Sequence, residues 1–192
     1  MTHRLAKDQL LESALAGLPS LTQATVDVLN RRRSEAVPVL VRLLQHPDPD
    51  WRRAAATAFA RMRTTPPTAR EGLLRLLAAP STSGKIAALA AMDWLPKSSK
   101  AKVTNAVARL LLRKQRDPFP FTTLRSHTAR SVAAHWLSSH GGRRGLVTLR
   151  LASRRSNDPV SHQIHSALQR AIRRVDYVGS ANKSSVRAPL SG

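Results

Sequence analysis

The chain has 192 residues, 42% of them apolar but only 4% aromatic, with 32 Lys and Arg against 11 Asp and Glu and no cysteine. A core drawn from Leu, Ala and Val suits closely packed helices better than a β-sandwich, and the absence of cysteine excludes disulfides and thiolate metal sites. A formal net charge of +21 exceeds what solubility needs and points to a polyanionic partner.

Residues 5–18 place Leu10, Leu11, Ala14 and Leu18 in helical phase, and Gly17 with Pro19 ends that helix. Ser20 is positioned to cap a second helix that runs to about Asn30 with Leu21, Ala24, Val28 and Leu29 inward. Arg31, Arg32 and Arg33 close this opening pair, where cations suit a helix C-terminus. From Ala36 to Met62 the pattern sharpens. Val37, Leu40, Val41 and Leu44 follow i, i+3, i+4, i+7, and Ala55, Ala58, Phe59 and Met62 repeat that spacing. Between them lies an HPDPD turn in which Asp48 or Asp50 caps the second helix. Two such faces must meet in a helical hairpin.

This hairpin resembles a HEAT repeat. Pro38 in the first helix, the Leu43–Leu44 pair, the Asp-containing turn and the Arg-x-x-Ala-Ala run from Arg52 to Ala56 stand where that family's pattern wants them. Trp51 departs from the pattern, which has a small β-branched residue there.

A third pair follows the turn Thr64–Thr68. Its first helix, over 69–79, uses Leu73, Leu74, Leu76 and Leu77, and its second uses Ile86, Leu89, Ala90 and Trp94 after a PSTSG turn. The fourth joins Val103, Val107, Leu110 and Leu111 to Val132, Ala133, Trp136 and Leu137 across a longer loop containing Phe119 and Phe121. The fifth joins Leu146, Leu149 and Leu151 to Ile164, Leu168, Ala171, Ile172 and Val175. Aligning VRLL at Val41, LRLL at Leu74 and ARLL at Ala108 gives steps of 33 and 34 residues, a period of stacked helical hairpins. TPR and ankyrin repeats share the period, but their signatures are missing.

The expected fold is therefore all-α. The resemblance implies a right-handed α-solenoid of about five HEAT-like hairpins over residues 1–176. An atypical pair at 5–33 precedes repeats near 35–63, 69–95, 100–140 and 143–175, and residues 177–192 read as a disordered basic tail. No run of 18 apolar residues occurs and the first residues lack a signal-peptide core, so a cytoplasmic protein with no membrane association is expected.

The charge is regional. Up to Leu95 there are 13 cations and 8 acids; from Pro96 onward there are 19 and 3. Lys102, Arg109, Arg113 and Arg116 form one helical stripe, Arg143, Arg150 and Arg154 a second, and Arg170, Arg173 and Arg174 a third. Placement on a solvated face explains where these charges sit but not why acids are so few, because like charges at i, i+4 cost stability. A nucleic-acid phosphate backbone, DNA or RNA, free or in a ribonucleoprotein, fits such stripes, and an acidic protein is the alternative. No base-reading cassette is present.

For catalysis the residues offer little: no P-loop, no G-x-S-x-G and no H-E-x-x-H. The resemblance implies one enzymatic alternative, because a bacterial family of alkylpurine DNA glycosylases is built from HEAT-like repeats and uses an Asp near Trp residues. Asp93 beside Trp94, with Trp51 and Trp136, is the nearest counterpart. His162 and His165, or His127, His135 and His140, lack the carboxylates a metal site would want, so no metal and no cofactor is expected.

Overall fold

The computed structural model describes residues 13, 16–20, 22–112, 129–154 and 161–185, with side chains of the last helix described as far as Arg174. Every regular element among these residues is helical. The chain divides into two compact units, residues 1–106 and 107–192.

In the first unit a 3-10 turn, Leu18–Ser20, precedes α1, Gln23–Arg31. Thr22 caps α1, not Ser20: its hydroxyl accepts from the Thr25 amide at 3.2 Å. Ser20 belongs to the turn itself. With the start moved, Val26 and Leu29 face inward rather than Ala24 and Val28. Arg32 joins α1 to α2, Arg33–Leu43, and forms an ion pair with Glu35. Arg31 thus stands in the last turn of α1 and Arg32 at its C-cap, as the sequence predicts, while Arg33 opens α2.

α2 buries Ala36, Leu40 and Leu44, while Val37 and Val41 are half-buried. Asp48 caps α3, Pro49–Arg61, accepting from the Asp50 amide at 2.8 Å. Ala55, Ala58, Phe59 and Met62 are all buried, as their spacing predicts. Arg52, in the first turn of α3, donates to the carbonyls of His46 and Pro47 at 2.6 and 2.5 Å, tying the helix back to the turn before it.

α4, Arg70–Ala78, buries Leu73, Leu76 and Leu77. Gly72 lets it approach α2 closely, since a Cβ there would sit 2.6 Å from the Leu44 Cβ. α5, Thr82–Met92, is capped by Ser81 through the Gly84 amide at 3.2 Å. It turns Ala87, Ala88, Leu89, Ala91 and Met92 inward, so its inner face is not the predicted Ile86–Leu89–Ala90–Trp94 line. Every residue from Ile86 to Met92 is apolar, and a uniform run carries no phase. α3 and α5 lie side by side, and the Thr65 hydroxyl, just past α3, donates to Ala91 near the end of α5 at 2.8 Å.

α6, Lys97–Leu112, crosses the division between units and buries the expected Val103, Val107, Leu110 and Leu111. In the second unit α7, Ala129–His140, α8, Gly142–Ser153, and α9, Ser161–Ser185, each pack on the other two. Ala133, Trp136 and Leu137 are buried as expected. Leu151 is not, at 50% exposed. Leu149 faces inward, and two residues along a helix turn the side chain through about 200°, so the two leucines cannot share a face. Gly145 fixes which side is inner, since a Cβ there would stand 2.7 Å from the Leu137 carbonyl oxygen. α9 buries Ile164, Ala167 and Ala171 and continues past Tyr177 to Ser185. An existing helix gains one hydrogen bond for each residue added and needs no apolar period to go on.

Candidate nucleic-acid interface

The stripes proposed from sequence fall on three helices. Lys102 and Arg109 are exposed on α6, while Arg113 and Arg116 lie outside the described residues, as do Phe119, Phe121 and His127. Arg143, Arg144 and Arg150 are exposed on α8, and Arg154 just after it. Arg170, Arg173 and Arg174 are exposed on α9. No carboxylate occurs among the described side chains from Val107 to Arg174.

The stripes differ in what accompanies the arginines. On α9, as far as Arg174, the exposed arc holds His162, His165, Gln169, Arg170, Arg173 and Arg174, all polar donors. His165 Nδ1 donates to the Ser161 carbonyl at 2.8 Å, which fixes its ring. Arg174 donates to the Ser139 carbonyl at 2.9 Å, near the C-terminus of α7, where a cation meets both unsatisfied carbonyls and the negative end of the helix dipole. It therefore holds α7 and α9 together, which leaves Arg170 and Arg173 as the residues of that triplet with no described structural task. On α8 the arginines share their arc with Val147 and Leu151.

One arginine that the charge stripes do not include is Arg130. It is only 7% exposed and donates through Nε to the Leu111 carbonyl at the end of α6, at 3.0 Å. Its surroundings in sequence, Arg130 to Ala134, repeat the Arg-x-x-Ala-Ala run of Arg52 to Ala56. Lys85, 7% exposed and followed by Ile86, Ala87 and Ala88, does the same for α5, with Nζ 3.4 Å from the Pro80 carbonyl. Arg52, Lys85 and Arg130 thus form one recurring device, a cation in the first turn of the second helix that reaches back to the preceding turn or helix end.

Around Asp93 the expected aromatic company is dispersed. Asp93 is exposed at the C-terminus of α5, not turned inward. Trp94 beside it is 43% exposed and lies under Arg63, whose guanidinium is 5.8 Å from the ring centroid. Trp51 stacks on His46 at the opposite end of α3, about 15 Å along that helix from the end that adjoins Ala91. Trp136 is buried in the second unit against His140 and offers no free ring face. Near Asp93, the Lys100 ammonium is held below its ordinary value of 10.5 chiefly by burial; Asp93 pulls it back up and Lys97 pushes it further down.

Among the described residues, no group of three or more His, Cys, Asp or Glu is placed to hold a metal ion, and no helix is long and apolar enough to cross a membrane. Residues 8–93 match the family model described as HEAT repeats. No curated protein and no solved structure matches the chain.

Proposed function

Residues 8–93 of this chain match the HEAT-repeat family model, and from that premise we propose that the protein is a non-catalytic helical-repeat scaffold that binds nucleic acid, free or in a ribonucleoprotein, through exposed arginines of its second unit, those of α9 foremost. One observation carries the reading: Arg109, Arg170 and Arg173 are exposed in a unit whose described side chains include no carboxylate. Folding gains nothing from such a surface, since its like charges repel. A phosphate backbone gives each guanidinium a bidentate acceptor and releases condensed counterions on binding.

The arc of α9 suits this best, because every exposed side chain described on it, as far as Arg174, is a hydrogen-bond donor or becomes one when protonated. Contacts made only to phosphates position the ligand and read its shape rather than its bases. The glycosylase alternative draws no support from Asp93, which lacks the buried setting that tunes a catalytic carboxylate, while Trp51 of the same unit stands at the far end of α3.

The test is the salt dependence of duplex binding by the Arg170→Gln/Arg173→Gln variant, which spares Arg174. Affinity falls for every sequence, and each lost phosphate contact makes the log–log slope shallower by about 0.7 to 0.9. An unchanged slope sinks the nucleic-acid reading.

A further inference from the structure

The exposed arc of α8 differs in kind from that of α9. Arg143, Val147, Arg150, Leu151 and Arg154 follow one another at i, i+4, i+7, i+8 and i+11, one continuous side of the helix, with Arg144 at its margin. Val147 is 56% exposed and Leu151 50%; with Trp94 of the other unit they are the large apolar side chains left in solvent among the described residues. Single apolar residues on a surface need no explanation. A Val–Leu pair one turn apart, bracketed by arginines and with no carboxylate among the described side chains of its unit, is a patterned surface.

From this pattern we propose that the α8 face docks an acidic amphipathic helix of a protein partner. Val147 and Leu151 form the apolar centre that an i, i+4 pair of the partner covers, and Arg143, Arg150 and Arg154 pair with carboxylates along its flanks. Arginine suits that flank, since its stem covers apolar surface while its fork holds a carboxylate bidentately. The charge selects the class of partner, because an acidic segment answers a rim whose described charges are all arginine. A nucleic acid would satisfy the arginines but leave Val147 and Leu151 facing phosphates. A membrane-surface helix needs a broad apolar face with bulky side chains, and two aliphatic residues do not make one. The proposal stands on α8 alone and does not depend on nucleic acid binding at α9.

The experiment uses the full chain and a fluorescent synthetic helix with Leu along one side and Glu on the rest. Its controls are a scrambled peptide of the same composition, duplex RNA and vesicles containing phosphatidylserine. Fluorescence anisotropy is expected to show the patterned peptide binding more tightly than its scramble. Val147→Ser/Leu151→Ser is expected to weaken it about tenfold or more, as loss of a central anchor does, while leaving duplex RNA binding unchanged. Arg143→Gln/Arg150→Gln/Arg154→Gln, which touches no apolar packing, weakens the peptide and flattens its salt dependence, so the test survives if the first variant melts early. Arg170→Gln/Arg173→Gln leaves the peptide untouched, which separates failure here from failure at α9. Equal affinity for peptide and scramble overturns the proposal. So does unchanged peptide binding in the Val147→Ser/Leu151→Ser variant, or a loss in that variant confined to vesicles.

Discussion

Residues 1–106 and residues 107–192 each contain sixteen Lys and Arg, but the first unit holds eight Asp and Glu and the second three. In the first unit, described acids start and brace helices: Asp48 caps α3, Asp50 pairs with Arg53 at 3.2 Å, and Glu35 pairs with Arg32. In the second, arginines finish helices instead. Arg130 takes the last turn of α6 and Arg174 that of α7. A high cation count is therefore a poor guide to binding by itself. What distinguishes the second unit is the cations left over once helix ends are satisfied, together with the acids that are not there.

The largest effect should come from breaking the first unit's core. Leu44, fully buried against Gly72, becomes an unpaired buried carboxylate in Leu44→Asp, at a penalty of several kcal/mol. Thermal denaturation should show the first unit unfolded; an unchanged melting temperature would mean the repeat register is misassigned. A medium effect tests whether the two units share one hairpin device. Arg52→Ala and Arg130→Ala each remove a charged donor from carbonyls at a helix junction and should lower stability by about 1.5 to 3 kcal/mol, more for the deeper Arg130. Urea titrations that find a loss in only one variant would break the equivalence. The smallest effect is a pH dependence. The lowered value of Lys100 means that, as pH rises through it towards 10.5, the unfolded chain holds more protons than the folded one. Stability should therefore climb across that window, and Lys100→Gln should flatten the climb.

The sequence declares the first unit's hairpin and α6 clearly, because large apolar residues alternate there with charged ones at helical spacing. It conceals the inner face of α5, where alanine is nearly everywhere, and the start of α1, where Ser20 and Thr22 are equally good caps two residues apart. Leu151 counts towards a core by type but not by angle. Arg130 was open to view in the repeated Arg-x-x-Ala-Ala run. The step from Arg52 to Lys85 is 33 residues but from Lys85 to Arg130 is 45, so an alignment on first helices passes over it. The arginine arcs are legible as spacing. That Arg174 is bonded to α7, and that α8 mixes valine and leucine into its arc, follows only from which side each helix turns inward.

The reach of Lys85 to the Pro80 carbonyl has a further consequence for chemical labelling. Lys97 and Lys102 stand in solvent, whereas Lys85 is almost wholly covered, so an amine-acylating reagent should mark the first two within the native lifetime. Lys85 reacts only when the α4–α5 turn opens. Its rate of acylation therefore clocks the opening of a single hairpin, and one endogenous lysine serves as a local stopwatch without any introduced probe.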